Sequence, residues 1–247
     1  MNVYLEKLER IEFSITMCCT GRCRHCSQGD HRGCDGHIDG AKAAEVVEKV
    51  CRVYNVKSLM TFGGEPLLYP ETVCTIHRAA ERAGIPRREI ITNGFFSRNK
   101  ERIAAVARML AHSGVNRVLL SVDAFHQETI PVETVEIFAD CLRNEGLPPE
   151  IHPAWLGSKE ADNEYNSRTR ELLDRFREKC YTVSAGNIIF PKGNAVKLLG
   201  EGREASDDPY EEDPRDMHSL CIDADGRTLN RSIYEADIID IMENYKP

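Results

Sequence analysis

An α/β fold, a partial (β/α)6 parallel barrel with a short C-terminal extension, is predicted by two features of the sequence. Short apolar runs each precede an amphipathic stripe of helical period, and that pair recurs along most of the 247 residues. A change of composition after Gly193 then marks off the extension.

In order, residues 11–17 (IEFSITM) read as the first strand, which delivers the chain into CCTGRCRHCSQGDH, residues 18–31. Residues 40–54 place Ala43, Val46, Val47, Val50, Cys51 and Tyr54 at helical spacing, one apolar face turned toward a core. VKSLMTF is the second strand and ends in Gly63-Gly64. The alternation continues with a helix near 70–83, strand REIIT, a helix near 99–113, strand NRVLLSV and a helix near 131–145. Strand PEIHPAWL, a helix near 164–179 and strand TVSAGNIIF complete six strands and five helices. Residues 200–216 are strongly acidic, carry two prolines and read as a mobile loop. CIDADGRTLN reads as hairpin-like and IYEADIIDIMENY as an apolar-striped helix packed on the barrel. Residues 1–195 are therefore assigned to a core domain, and 196–247 to an acidic loop and C-terminal capping extension.

The formal net charge of -8 argues against a nucleic-acid or anionic-membrane surface, which needs a clustered basic excess. MNVYLEKLERIEF has neither the basic region nor the apolar stretch of a signal peptide, and no run approaches membrane-span length, so a cytoplasmic location is expected. In that reducing compartment ten cysteines are read as core thiols, metal ligands or catalytic groups before disulfides. Cys51, Cys141 and Cys180 fall on apolar helical stripes and are expected in the core, with Cys74 similar. Cys221 stays open.

Cys18, Cys19, Cys23, Cys26 and Cys34 crowd one loop and admit two inorganic readings. Cys23, Cys26, Cys34 and His37 have the spacing of a structural zinc knuckle. Alternatively, Cys19, Cys23 and Cys26 hold three irons of a [4Fe-4S] cluster and leave the fourth open. The loop opens after the first strand and TFGGEPLL after the second, at the sheet edge where parallel α/β proteins bind ligands. A zinc knuckle does not account for that placement.

Cys19-x3-Cys23-x2-Cys26, Gly63-Gly64-Glu65-Pro66, Thr92-Asn93-Gly94 and Ser121-Val122-Asp123, each at the end of a successive strand, resemble the radical S-adenosylmethionine (radical SAM) superfamily over residues 10–190. His25 departs from the aromatic residue usual before the third cysteine. The resemblance implies one [4Fe-4S] cluster on Cys19, Cys23 and Cys26, and S-adenosylmethionine bound at its open iron. Reductive cleavage to a 5'-deoxyadenosyl radical and hydrogen abstraction from an organic substrate follow from it. Gly63 and Gly64 are expected to admit backbone carbonyls to the methionyl ammonium, Glu65 to add a negative partner and Pro66 to stiffen the turn. Asn93, Ser121 and Asp123 are expected to face the ribose and carboxylate, His126 to touch substrate or end its strand, and Gly193-Asn194-Ala195 to close the barrel.

The end of the chain looks like the start of the extension that carries auxiliary clusters in peptide-modifying relatives, but only Cys180 and Cys221 lie beyond residue 150. A peptide or small-molecule substrate is therefore expected, with an electron donor such as flavodoxin or ferredoxin, and Cys221 is a chemically suitable hydrogen donor. A glycyl-radical enzyme activase and a non-catalytic zinc or iron-sulfur regulatory module stand as the alternatives.

Overall fold

The structure, a computed structural model, describes residues 2–31, 34–199 and 211–247. The part of the acidic segment at 200–210 lies outside the described residues.

Strand β1 (Arg10–Ser14) leads through the cysteine loop to helix α1 (Gly40–Val53), whose first turn is capped by Asp39 accepting from the Lys42 N–H. The same alternation builds β2 (Ser58–Phe62), α2 (Pro70–Arg82), β3 (Arg87–Thr92), α3 (Lys100–Ala111), β4 (Arg117–Ser121) and α4 (Val132–Asn144). Then come β5 (Glu150–His152), β6 (Ala154–Trp155), α5 (Glu164–Glu178), β7 (Asn187–Ile188) and α6 (Ala195–Leu199). The end of the chain adds β8 (Ser219–Ile222), β9 (Arg227–Thr228), β10 (Arg231–Ser232) and α7 (Ile238–Glu243).

A six-stranded parallel sheet in the order β5-β4-β3-β2-β1-β8 forms an open barrel wall. Its outer face buries Ile11, Phe13, Leu59 and Ile90 against the apolar stripes of the helices, Val46, Val47, Val50, Ile76 and Phe138 among them. The inner face is polar: Glu89 is fully buried and accepts from Arg117 Nη1 at 2.5 Å and Arg87 Nε at 2.8 Å.

Three expectations need correcting. PEIHPAWL is not one strand, because Pro153 has no N–H for a ladder and divides β5 in the main sheet from β6 in a separate pair with β7. TVSAGNIIF is likewise interrupted: Val183 bridges Ile151 of β5 in parallel and so continues the wall past β5, while Asn187–Ile188 form β7; a further wall strand, β8, comes from the C-terminal segment and runs parallel to β1. The extension thus builds part of the wall as well as packing on it. Finally, Cys180 is exposed and sits at φ 62° just past the end of α5, so it does not join the core. Cys74 is buried, and Cys51 and Cys141 pack half-buried against the core. The expected hairpin is present, with Leu229 and Asn230 at positive φ between β9 and β10.

Candidate active site

The C-terminal ends of β1 to β5 open onto one cavity of about 220 Å³. Cys19, Cys23, Cys26, Gly63, Gly64, Asn93, Ser121, Asp123, His25, His126 and His152 all line it.

The cysteine loop is held at both ends. At its start, the Gly64 N–H donates to Thr16 O and the Glu65 N–H to Cys18 O, each at 2.7 Å. A Cβ on Gly64 would lie 2.2 Å from Cys18 O, and Gly63 takes a φ of 131°, so only glycine lets the second-strand turn approach this closely. At its end, Asn194 clasps the loop: its N–H donates to Cys26 O at 2.9 Å, and its Nδ2 donates to Cys23 O at 3.3 Å and Gly29 O at 3.1 Å. His31 adds a further tie. Its Nδ1 donates to Met17 O at 2.6 Å, which leaves Nε2 to accept from the Cys26 thiol at 3.2 Å.

The three thiols converge without closing on a point. A Cβ on Gly21 would lie 3.2 Å from Cys23 Sγ and 3.7 Å from Cys19 Sγ. Burial pushes the Cys19 thiol up to about 12, with the Glu65 charge adding to it, and burial likewise raises Cys23 and Cys26. Ionising three crowded thiols, one buried and two half-buried, is favoured by a strongly positive partner. At the spacing suited to one ion, with ligand atoms within 4.8 Å of one another, the described residues bring together only His25, Asp123 and His126. Neither the triad nor the set Cys23, Cys26, Cys34 and His37 closes around a single metal; His37 instead bonds Ile38 O through Nδ1 and packs on Tyr69. Three thiols around one cavity at wider spacing fit a polynuclear cluster with soft ligands.

The other expected residues divide. Asn93 lines the cavity, donates through Nδ2 to Thr20 Oγ1 at 3.3 Å and accepts from the Phe95 N–H at 2.8 Å. Ser121 lines it as well. Glu65 is fully buried behind the lining, and its carboxylate accepts from Thr92 Oγ1 at 2.7 Å and from the Leu67 and Asn93 N–H groups at 2.9 Å. It therefore braces the turn to β3, and Pro66 is buried beside it in the first position of a short 3-10 helix. Burial raises the Glu65 pKa to about 7 despite those donors. Asp123 likewise turns its carboxylate to protein donors, described below. Cys221 is exposed on β8, donates to Glu12 Oε2 at 3.3 Å and is not among the cavity's lining residues. His31, His152 and the clasp by Asn194 were not expected in these roles. Pairing between distant segments creates them, and the one sequence signal was the small-residue turn at Gly193.

The sequence model of the Radical SAM superfamily matches residues 13–152. The GTP 3',8-cyclase of Moorella thermoacetica is 25% identical over 129 residues, 51% of this chain and 38% of that protein. A probable GTP 3',8-cyclase of Saccharolobus solfataricus is 27% identical over 182 residues, 73% of this chain and 56% of that protein. The chain thus spans about half the length of these relatives. The fold resembles Streptococcus suis SuiB bound to S-adenosylmethionine, with TM-score 0.59, 13% identity, and 98% and 66% of the two chains covered. It also resembles native anSMEcpe with bound AdoMet, with TM-score 0.61, 14% identity, and 95% and 80% covered.

Proposed function

The chain belongs to the Radical SAM superfamily, and on that premise we propose that it abstracts hydrogen from a substrate without phosphate groups, a peptide segment or a small metabolite. It is an enzyme whose cofactors are a [4Fe-4S] cluster and S-adenosylmethionine. When bound, these supply the electron and the sulfonium whose cleavage yields the hydrogen-abstracting radical. The protein's share is placement. Cys19, Cys23 and Cys26 would hold the cluster, Gly63 and Gly64 would leave room for the methionyl end, and Asn93 and Ser121 would offer polar contacts beside it.

The observation that carries the substrate class is the lining itself: among the described residues it includes no lysine or arginine. A nucleoside triphosphate needs cationic or bidentate partners, so the reaction in the names of the sequence relatives is not the reading this cavity favours. A neutral or weakly polar segment is matched by Ile91, Ile188 and Ile189 together with Ser121, His152 and Asn187, which line the same space.

Anaerobic reconstitution with iron and sulfide, followed by reduction with dithionite, tests the reading. A brown protein that converts S-adenosylmethionine to 5'-deoxyadenosine, faster with peptide pools than with GTP, is expected. Stimulation by GTP alone would refute the substrate class, and a colourless zinc protein would refute the whole proposal.

A further inference from the structure

We propose that Asp123 and His126 form an acid–base dyad serving the substrate side of the cavity, in which His126 Nε2 takes a proton from a hydroxyl or ammonium group beside the attacked carbon. The inference rests on the hydrogen-abstraction reading and narrows its substrate to one that carries such a group.

Asp123 lies just beyond the end of β4 and is fully buried. Its Oδ1 accepts from the Phe125 and His126 N–H groups, each at 3.0 Å, and its Oδ2 accepts from the Ala154 N–H at 3.0 Å and from His126 Nδ1 at 2.7 Å. Burial alone would raise its pKa, but His126 beside it and these donors hold it well below the usual carboxylate range. An ionised carboxylate only accepts, so Nδ1 of His126 carries a hydrogen, and in the neutral ring this tautomer leaves the lone pair on Nε2. The backbone around the ring is pinned too. The Asp123 N–H donates to Gln127 Oε1 at 2.8 Å, and the Ile130 N–H donates to His126 O at 3.0 Å.

His126 lines the cavity that the three cysteines share, and no described residue bonds its Nε2. His25 walls its other side edge-on, with ring centroids 4.6 Å apart. The ligand atoms of His25, Asp123 and His126 lie within 4.8 Å of one another, but each carboxylate oxygen already accepts two hydrogen bonds and has no lone pair left for a cation. A buried acid orienting a histidine that lines a cavity is the arrangement of general base catalysis.

The step is a proton transfer. The substrate O–H or N–H bond breaks, its electron pair stays on the oxygen or nitrogen, and an Nε2–H bond forms. The resulting imidazolium is held by the Asp123 carboxylate, and no electron changes hands. Asp123 is a positioning residue here.

Diethyl pyrocarbonate, which acylates unprotonated imidazole nitrogens, tests the dyad on the reconstituted enzyme, with each histidine followed by peptide mass spectrometry. His126 is expected to react about tenfold faster than buried His77, to keep that rate within about twofold in saturating S-adenosylmethionine, and to lose about threefold or more in Asp123→Asn. The serine probe N-acetyl-serine methylamide, added with S-adenosylmethionine, is expected to protect His126 where N-acetyl-alanine methylamide does not. Because Asp123→Asn also disturbs backbone donors, His126→Gln is the second variant: it is expected to hold S-adenosylmethionine with unchanged affinity. Blocking of the label by S-adenosylmethionine alone, or about tenfold weaker cofactor binding by His126→Gln, would make His126 a cofactor contact and overturn the proposal. So would equal protection by the two capped residues. Labelling needs no turnover, so its outcome is separate from any failure of the enzyme to cleave S-adenosylmethionine.

Discussion

Thr92 Oγ1 donates a 2.7 Å hydrogen bond to Glu65 Oε1, tying the end of the third strand to the turn after the second. The Asn93 and Leu67 N–H groups share the same carboxylate, so three donors depend on one buried acid. Replacing it by glutamine turns an amide N–H toward one of those donors. Glu65→Gln is expected to lower the unfolding free energy by about 1–3 kcal/mol, measured by urea denaturation of the reconstituted protein. An unchanged midpoint would show that the turn does not depend on the carboxylate.

Gly64→Ala places a methyl group 2.2 Å from Cys18 O, at the backbone bond that fixes the cysteine loop against the second-strand turn. Since backbone must move to admit it, 5'-deoxyadenosine formation is expected to fall by about tenfold or more while the far-ultraviolet circular dichroism is retained. Wild-type turnover in this variant would refute the close approach.

Asn194→Ala removes the two side-chain bonds to Cys23 O and Gly29 O but leaves the backbone bond to Cys26 O. At about 1 kcal/mol for each of the two bonds, iron release to a chelator is expected to be about thirtyfold faster. The rate of iron–chelate colour formation measures it, and the wild-type rate would mean that the clasp does not retain the cluster.

His77 is fully buried on α2, with Nε2 at 3.0 Å from Thr61 Oγ1, and burial first and Arg88 second push its pKa down to about 3. The unfolded chain takes up this proton near pH 6.5 and the folded chain does not. Its contribution is therefore complete above the unfolded pKa and is lost as pH falls from there toward the folded value, by about 1.4 kcal/mol per pH unit. Urea midpoints at pH 7 and pH 5 in wild type and His77→Gln measure it: the variant is expected to show the smaller decline.

Cys221 donates to Glu12 and lies outside the cavity lining. Cys221→Ala is accordingly expected to leave 5'-deoxyadenosine formation unchanged and, once a substrate is in hand, deuterium incorporation as well. A loss of label in product would identify Cys221 as the hydrogen donor.

What the sequence made legible was local. The spacing of Cys19, Cys23 and Cys26, the paired glycines after β2 and the strand-helix alternation are all contiguous patterns, and they place the cavity at the correct sheet edge. The misread elements depend on partners far away in the chain. Nothing near Ser219 announces a strand beside Arg10, and nothing near Asp123 announces that the Ala154 N–H will occupy its carboxylate. PEIHPAWL reads as one strand on its apolar pattern alone; its division at Pro153 is completed by the small sheet with Asn187, a partner more than thirty residues away. Cys180 sat on a helical stripe that ends just before it.

The pairing of β8 with β1 joins residues 209 apart, Cys221 beside Glu12. Until that segment leaves the ribosome, the strand that launches the cysteine loop has one bare edge, open to wrong partners. So wide a loop closure is also slow to find. A cluster inserted before β8 pairs with β1 would meet a half-finished wall, so the yield of loaded enzyme is expected to follow how quickly that segment docks.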